Sequence, residues 1–201
     1  MAADEPTVRF AHTVYFLRHG ETEWNFGRRL QGQADIPLND TGKAQAARHG
    51  QVMAGLGEDW SSFDFWVSPL IRTRETFAIV REALGVPVEP RFDDRLREGA
   101  FGRWEGWTWD QILTREPENH ALWLEHCWTD APHGGETYGA IGRRVAEWSA
   151  EVDRPAVVVS HGGVSRVLRA MYLGLPKLKL VEIHVPQDRF MKLSCGKAEF
   201  V

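Results

Sequence analysis

The chain has 201 residues, 43% of them hydrophobic, which suits one domain with a substantial core. Lys+Arg 24 against Asp+Glu 28 gives a net charge of -4 with no basic stripe, so a nucleic-acid backbone is excluded as the expected partner. No apolar run approaches the roughly 20 residues of a membrane helix, and Met1–Pro6 is short and acidic rather than signal-like.

Val14–Leu17 reads as a buried strand that stops at Arg18-His19-Gly20. A side chain at such a strand end faces the crevice where open α/β sheets bind ligands. A long polar loop follows from Glu23 to Asn39. Asp40-Thr41 offers a helix cap, and the helix carrying Ala44, Ala47, Val52 and Met53 ends near Gly55. Phe63–Val67 reads as a second strand, broken by Ser68-Pro69. Ile71–Leu84 reads as a helix stopped by Gly85 and Pro87, and Val88–Phe92 as a short strand.

The segment 96–135 has weak periodicity and holds five of the nine tryptophans: Trp104, Trp107, Trp109, Trp123 and Trp128. We read it as a lid-like insertion over the sheet, with short helical pieces at 109–115 and 119–126. Aromatic residues are more often core than ligand platform, so no substrate contact is assigned to the tryptophans. Helix 136–152 follows, with Ile141, Val145 and Trp148 at helical spacing. Ala156–Val159 is a second fully apolar strand, ending in Ser160-His161-Gly162-Gly163. A helix over 164–172 and two strands, 181–185 and 190–194, complete the chain. The expected fold is α/β, a three-layer sandwich with a mostly parallel central sheet, forming one domain over 1–201.

Two strands thus end in a histidine followed by glycine. If they are neighbours, His19 and His161 meet at one sheet edge. Arg72 falls in the first turn of a helix that begins at a strand end, where a cation opposes the helix dipole and calls for an anion. Glu98 and Glu105 are the nearby carboxylates, either of them a surface residue if taken alone. Arg97, Arg103 and Arg115 are expected to face solvent. His12, His49, His120, His126, His133 and His184 have no metal-ligand spacing and are read as surface or structural. Cys127 and Cys195 lie far apart, which favours a reduced, cytoplasmic protein.

Arg18-His19-Gly20-Glu21-Thr22-x-Trp24-Asn25, Gln31-Gly32, Ser68-Pro69-Leu70-x-Arg72-Thr73, Leu96-x-Glu98-x-x-Phe101-Gly102-x-Trp104-Glu105-Gly106, Gly135-Glu136-Thr137 and Ser160-His161-Gly162-Gly163 occur in that order. Together they resemble the histidine phosphatase superfamily, in its phosphoglycerate mutase-like phosphatase branch. The resemblance implies that His19 is a phosphate-accepting nucleophile, Arg18 and Arg72 a phosphate clamp, and His161 the second histidine of the pocket. It further implies phosphate contacts from Asn25, Gln31, Thr22 and Gly162, and a proton donor in Glu98, with Glu105 as its structural neighbour.

A neutral imidazole suits attack on an anion, and arginine forks match phosphate oxygens. A backbone carbonyl near Gly20 is expected to hold one nitrogen of His19, and a buried, protonated Glu98 to serve the leaving group. No metal or cofactor is required. The expected activity is metal-independent hydrolysis of a small phosphorylated metabolite through phosphohistidine. The alternatives are a cofactor-dependent phosphoglycerate mutase and a non-catalytic phospho-ligand binding module. The segment after Glu98 lacks the longer Glu-Arg-His-Tyr-Gly type insertion of the mutases, which favours hydrolysis.

Overall fold

A computed structural model describes residues 6–201; the acidic stretch 1–5 lies outside the described residues. Its centre is a six-stranded sheet in the order β3-β2-β4-β1-β5-β6. The strands are β1 (Val14–Arg18), β2 (Asp64–Val67), β3 (Arg91–Phe92), β4 (Ala156–Ser160), β5 (Met191–Ser194) and β6 (Lys197–Phe200). β1 and β2 flank β4 in parallel, and β3 continues the parallel side. β5 and β6 add an antiparallel edge.

Strand alternation divides the core into two layers. Tyr15, Leu17, Phe65, Val67, Val157 and Val159 point to one face. They pack there on Met53 of α2 (Asp40–Ala54) and on Phe77 and Val80 of α3 (Ile71–Leu84). Val14, Phe16, Trp66, Ala156 and Val158 point to the other face. They pack on Val145 and Trp148 of α6 (Tyr138–Ser149) and on Val164, Val167 and Leu168 of α7 (Gly162–Leu173). β4 is buried along its whole length, as a central parallel strand must be.

Register decides what the sheet does. Leu17 lies opposite Val159 and Arg18 opposite Ser160, and the His19 N–H donates to the Ser160 carbonyl at 3.0 Å. On the other side of β4, Val67 pairs with Val159 and Ser68 N donates to Val159 O. Three carboxyl ends therefore arrive together, carrying Arg18-His19, Ser68 and His161.

The expected helix boundaries shift by a few residues. Asn39, not Asp40 or Thr41, caps α2 through its side chain. α6 starts at Tyr138 because Thr137 caps it. The long loop after β1 contains a short helix, α1 (Glu23–Phe26), capped by Thr22. The 96–135 segment holds α4 (Trp109–Arg115) and α5 (Pro117–His126), and Trp104 and Trp123 are core residues within it.

One expected element is absent: 181–185 is not a strand. Lys177–Glu182 is a 3-10 helix, followed by irregular chain. Val185 is buried, but the carbonyls of Ile183 and Val185 accept from Arg166 and Arg18 rather than from a strand. The partner of β5 is β6, reached through a turn with Cys195 and Gly196 both at positive φ, the geometry a two-residue hairpin needs. The strand expected over 88–92 shrinks to β3, since Pro87 and Pro90 remove donors upstream of it. Among the described residues, no helix is long and apolar enough to cross a membrane.

Candidate active site

The strand ends open into a cavity of about 500 Å³. Arg18, His19, Asn25, Gln31, Arg72 and Glu98 are among the residues that line it.

His19 is buried, and its Nδ1 lies 2.7 Å from the carbonyl oxygen of Gly20. A carbonyl only accepts, so Nδ1 carries the proton and Nε2 keeps its lone pair. Arg72 Nε donates to that same Nε2 at 3.3 Å. Burial, with Arg72 and then Arg18 alongside, holds His19 well below the ordinary imidazole pKa. The ring is therefore neutral at physiological pH, in the tautomer that an attacking Nε2 requires.

Arg72 is fully buried in the first turn of α3. Its Nη1 and Nη2 donate to the carbonyls of Ala34 and Gly32, each at 2.8 Å, which fixes the plane of the fork. The helix end beside it has no side-chain cap of its own; Asp35 supplies one by accepting from Ile71 N. Burial lowers Arg72 to about 10, opposed by Glu98, Asp35 and Glu105. Burial and then Arg166 lower Arg18 to about 10 as well. Both guanidinium groups stay charged at neutral pH.

Arg18 anchors itself through Nη1 to Val185 O at 2.7 Å. Its Nε is buried with no partner, as are Gln31 Oε1 and His161 Nδ1. Buried polar atoms are rarely left unpaired. Arg18 and Gln31 line the cavity and His161 adjoins it through His19, so these unpaired atoms beside a neutral imidazole and Arg72 describe a site built for a small anion with several oxygens, once the Gln31 amide is turned to present its NH2.

His161 is fully buried, its ring centroid 5.2 Å from that of His19. Burial, with Arg72 and His19 next, holds it well below the ordinary value. The His161 ring is therefore neutral, like that of His19.

Glu98 is half-buried rather than buried, at the N-terminus of α7. Its carboxylate accepts from Gly163 N at 3.1 Å and from Gly99 N at 2.9 Å. Glu105 is turned away from the chemistry. Its Oε1 accepts from the N–H groups of Gln33 and Phe101, tying the loop after β1 to the 96–135 segment.

One expected contact changes, and two keep their place with a refinement. Thr22 does not line the cavity: it caps α1 and reaches Asn25 N and Oδ1, so it positions Asn25. Asn25 does line it, with Oδ1 engaged by Thr22 N, leaving its NH2 as the donor group. Gly162 lines the cavity but has ordinary room for a Cβ; the tight position is Gly163, where a Cβ would collide with the Glu98 carboxylate.

Other residues enter that sequence reasoning left without a role. Thr76 Oγ1 accepts from Gly20 N, and Gln187 Nε2 donates to His19 O and Asn25 Oδ1. Arg28, Arg29 and Arg166 face the cavity, whereas Arg97, Arg103 and Arg115 do not. His120 lines it too, so it is more than a surface histidine. Phe101, Trp109, Trp123 and Leu124 form an apolar wall, with Trp109 stacked on Trp123 at 5.3 Å.

A family model described as the histidine phosphatase superfamily (branch 1) matches residues 14–201. The chain belongs to this family. Similar proteins include a glucosyl-3-phosphoglycerate phosphatase of Mycobacterium tuberculosis (strain CDC 1551 / Oshkosh), 38% identical over 179 residues, 83% of this chain and 77% of the relative. A probable phosphoglycerate mutase of Salmonella paratyphi C is 37% identical over 169 residues, 81% of this chain and 75% of the relative. A solved structure of a mycobacterial glucosyl-3-phosphoglycerate phosphatase complexed with VO3 superposes with a TM-score of 0.78 at 32% identity, over 95% of this chain and 98% of that one. This histidine phosphatase is thus a phosphoric monoester hydrolase of the type that passes through phosphohistidine.

Proposed function

We propose that this histidine phosphatase removes a phosphate from a small metabolite that carries both a carboxylate and a sugar, that no metal takes part, and that His19 is the nucleophile. The supporting observation is the Nε2 lone pair of His19, held in place by Gly20 O and flanked by Arg72.

In the first step Nε2 attacks phosphorus and the bond to the leaving oxygen breaks. Glu98 gives that oxygen its proton. Positive charge develops on the ring and is spread through Nδ1–H to Gly20 O. Arg18 and Arg72 take the charge on the phosphoryl oxygens, with Asn25 and Gln31 as neutral donors. In the second step Glu98 takes a proton from water, the water oxygen attacks phosphorus, and the N–P bond breaks. The electron pair returns to Nε2 and inorganic phosphate leaves.

The substrate class rests on the other residues of the cavity lining. Arg28, exposed on the cavity lining, and Arg166, next to Arg18, are further cations suited to a carboxylate. Phe101, Trp109 and Trp123 offer flat apolar faces suited to a sugar ring. Glycosylated phosphoglycerates, the compounds in the names of the mycobacterial relatives, have both parts. The 96–135 segment supplies that wall, and we read it as the lid-like part of a single domain. Cys127 and Cys195 are free, in keeping with a cytoplasmic protein.

The test is hydrolysis of p-nitrophenyl phosphate and of glucosyl-3-phosphoglycerate in EDTA, wild type against His19→Ala. The expected result is turnover by the wild type on both, with higher kcat/KM on the second, and loss in the variant. Folded wild type that turns over neither substrate would support a binding module. Conversion of 3-phosphoglycerate to 2-phosphoglycerate that depends on 2,3-bisphosphoglycerate would support a mutase.

A further inference from the structure

Ser68 directly follows β2 and is fully buried. Its Oγ has one partner, His161 Nε2, at 2.7 Å. The bond has two directions, and counting donors distinguishes them. If Nε2–H donated to Ser68, the hydroxyl proton would have no acceptor, and Nδ1 would present a lone pair beside Arg18 and His19 in a site for an anion. If Ser68 donates to Nε2, the hydroxyl is satisfied and the ring proton moves to Nδ1. Nδ1 is the buried ring nitrogen with no protein partner. The ring is also neutral, through burial and Arg72, so it carries one proton only.

We infer that Ser68 is a positioning residue: its hydroxyl donates to His161 Nε2 and so fixes the Nδ1–H tautomer, making His161 a neutral hydrogen-bond donor to the phosphoryl group. The two histidines then share one tautomer but use opposite nitrogens. His19 spends its Nδ1–H on Gly20 O and offers a lone pair. His161 spends its Nε2 lone pair on Ser68 and offers an N–H. A neutral donor stabilises phosphate without placing a further positive charge beside Arg18 and Arg72.

Backbone geometry supports the role. Ser68 N is tied to Val159 O at 3.0 Å, and Ser68 O accepts from Thr73 Oγ1 at 2.8 Å. His161 in turn follows β4 directly and stands at the N-cap position of α7, its side chain making no cap bond. Both partners directly follow adjacent parallel strands, so their spacing is set by the sheet.

The inference rests on the phosphate-site reading, but its test needs no turnover. Two-bond 1H–15N correlation spectra of protein labelled with 15N-histidine report each ring's tautomer at pH 7, with His161 assigned by His161→Gln. The expected wild-type spectrum shows His161 with Nδ1 protonated and Nε2 bare; an Nε2–H form or an imidazolium overturns the inference. In Ser68→Ala the His161 signals should move to a tautomer mixture while those of His19 stay. The Ki of inorganic phosphate should rise about tenfold, the scale of one hydrogen bond to a charged group, and Ser68→Thr should restore it. Unchanged His161 signals in Ser68→Ala also overturn it. If Ser68→Ala fails to fold, the wild-type spectrum alone decides.

Discussion

Arg72 Nε donates to His19 Nε2 across 3.3 Å, so an arginine N–H occupies the lone pair that must attack phosphorus. The arrangement keeps the ring aimed and neutral before substrate arrives. An incoming phosphoryl group offers the guanidinium better acceptors and frees the lone pair as it binds. Arg72→Lys keeps the charge but loses the fixed fork and the Nε–H. It should lower kcat/KM on p-nitrophenyl phosphate by about 10²–10³-fold, in line with removal of a preorganised donor. A loss below fivefold would mean that charge alone suffices.

Glu98 is held at the start of α7 by Gly163 N and Gly99 N. Its role as acid depends on how much the leaving group needs a proton. Glu98→Gln should cut turnover of an alkyl phosphate by about 10²–10³-fold. On p-nitrophenyl phosphate, whose leaving group needs no proton, the first step should survive and the second slow, so a burst of p-nitrophenol appears in stopped flow. Equal losses on both substrates without a burst would remove Glu98 from the proton transfers.

Gly163 donates to that carboxylate, and a Cβ there would collide with it. Gly163→Ala should therefore displace Glu98, whose flexible end can move, rather than unfold α7. The expected outcome is at least about a tenfold fall in kcat with a melting temperature within a few degrees of wild type. A large drop in melting temperature with kcat retained would contradict this.

How far these residues were legible in the sequence follows from how local their signals are. Strand, histidine, glycine is a local pattern, and pairing of β1 with β4 brought His19 and His161 together as expected. Arg72 declared itself by being a cation at a helix start. Ser68 and Gln187 act through residues 93 and 168 positions away, and no local pattern carries such a partner. The alternation in Val181–Val185 looked like a strand because it buries Val185, yet its carbonyls serve Arg18 and Arg166. β6, with its polar Lys197 and Glu199, gave no apolar signal, and only the Cys195-Gly196 turn marks it.

Stability should fall in acid because three buried histidines resist protonation. Burial lowers His49 from 6.5 to about 4, where it packs against Phe190 near Asp188; His19 and His161 are also held low. The unfolded chain takes up protons below about 6.5 that the folded protein refuses, so unfolding is favoured as pH falls. His49 accounts for a loss of the order of 2–3 kcal/mol between neutral pH and pH 4. Denaturant melts at pH 7.5 and 5 should show lower stability at pH 5, and His49→Leu should flatten the difference. A flat profile in the wild type, or an unchanged slope in the variant, would contradict the assignment.

The central claim is that phosphate passes through His19. Protein mixed rapidly with p-nitrophenyl phosphate, quenched in alkali and digested, can be read by mass spectrometry for a phosphoryl group. The account predicts one phosphoryl group on the peptide containing His19, on Nε2, lost on brief acid treatment and absent from His19→Ala. A phosphoryl group on another residue, or none trapped from Glu98→Gln protein that releases p-nitrophenol, would contradict it.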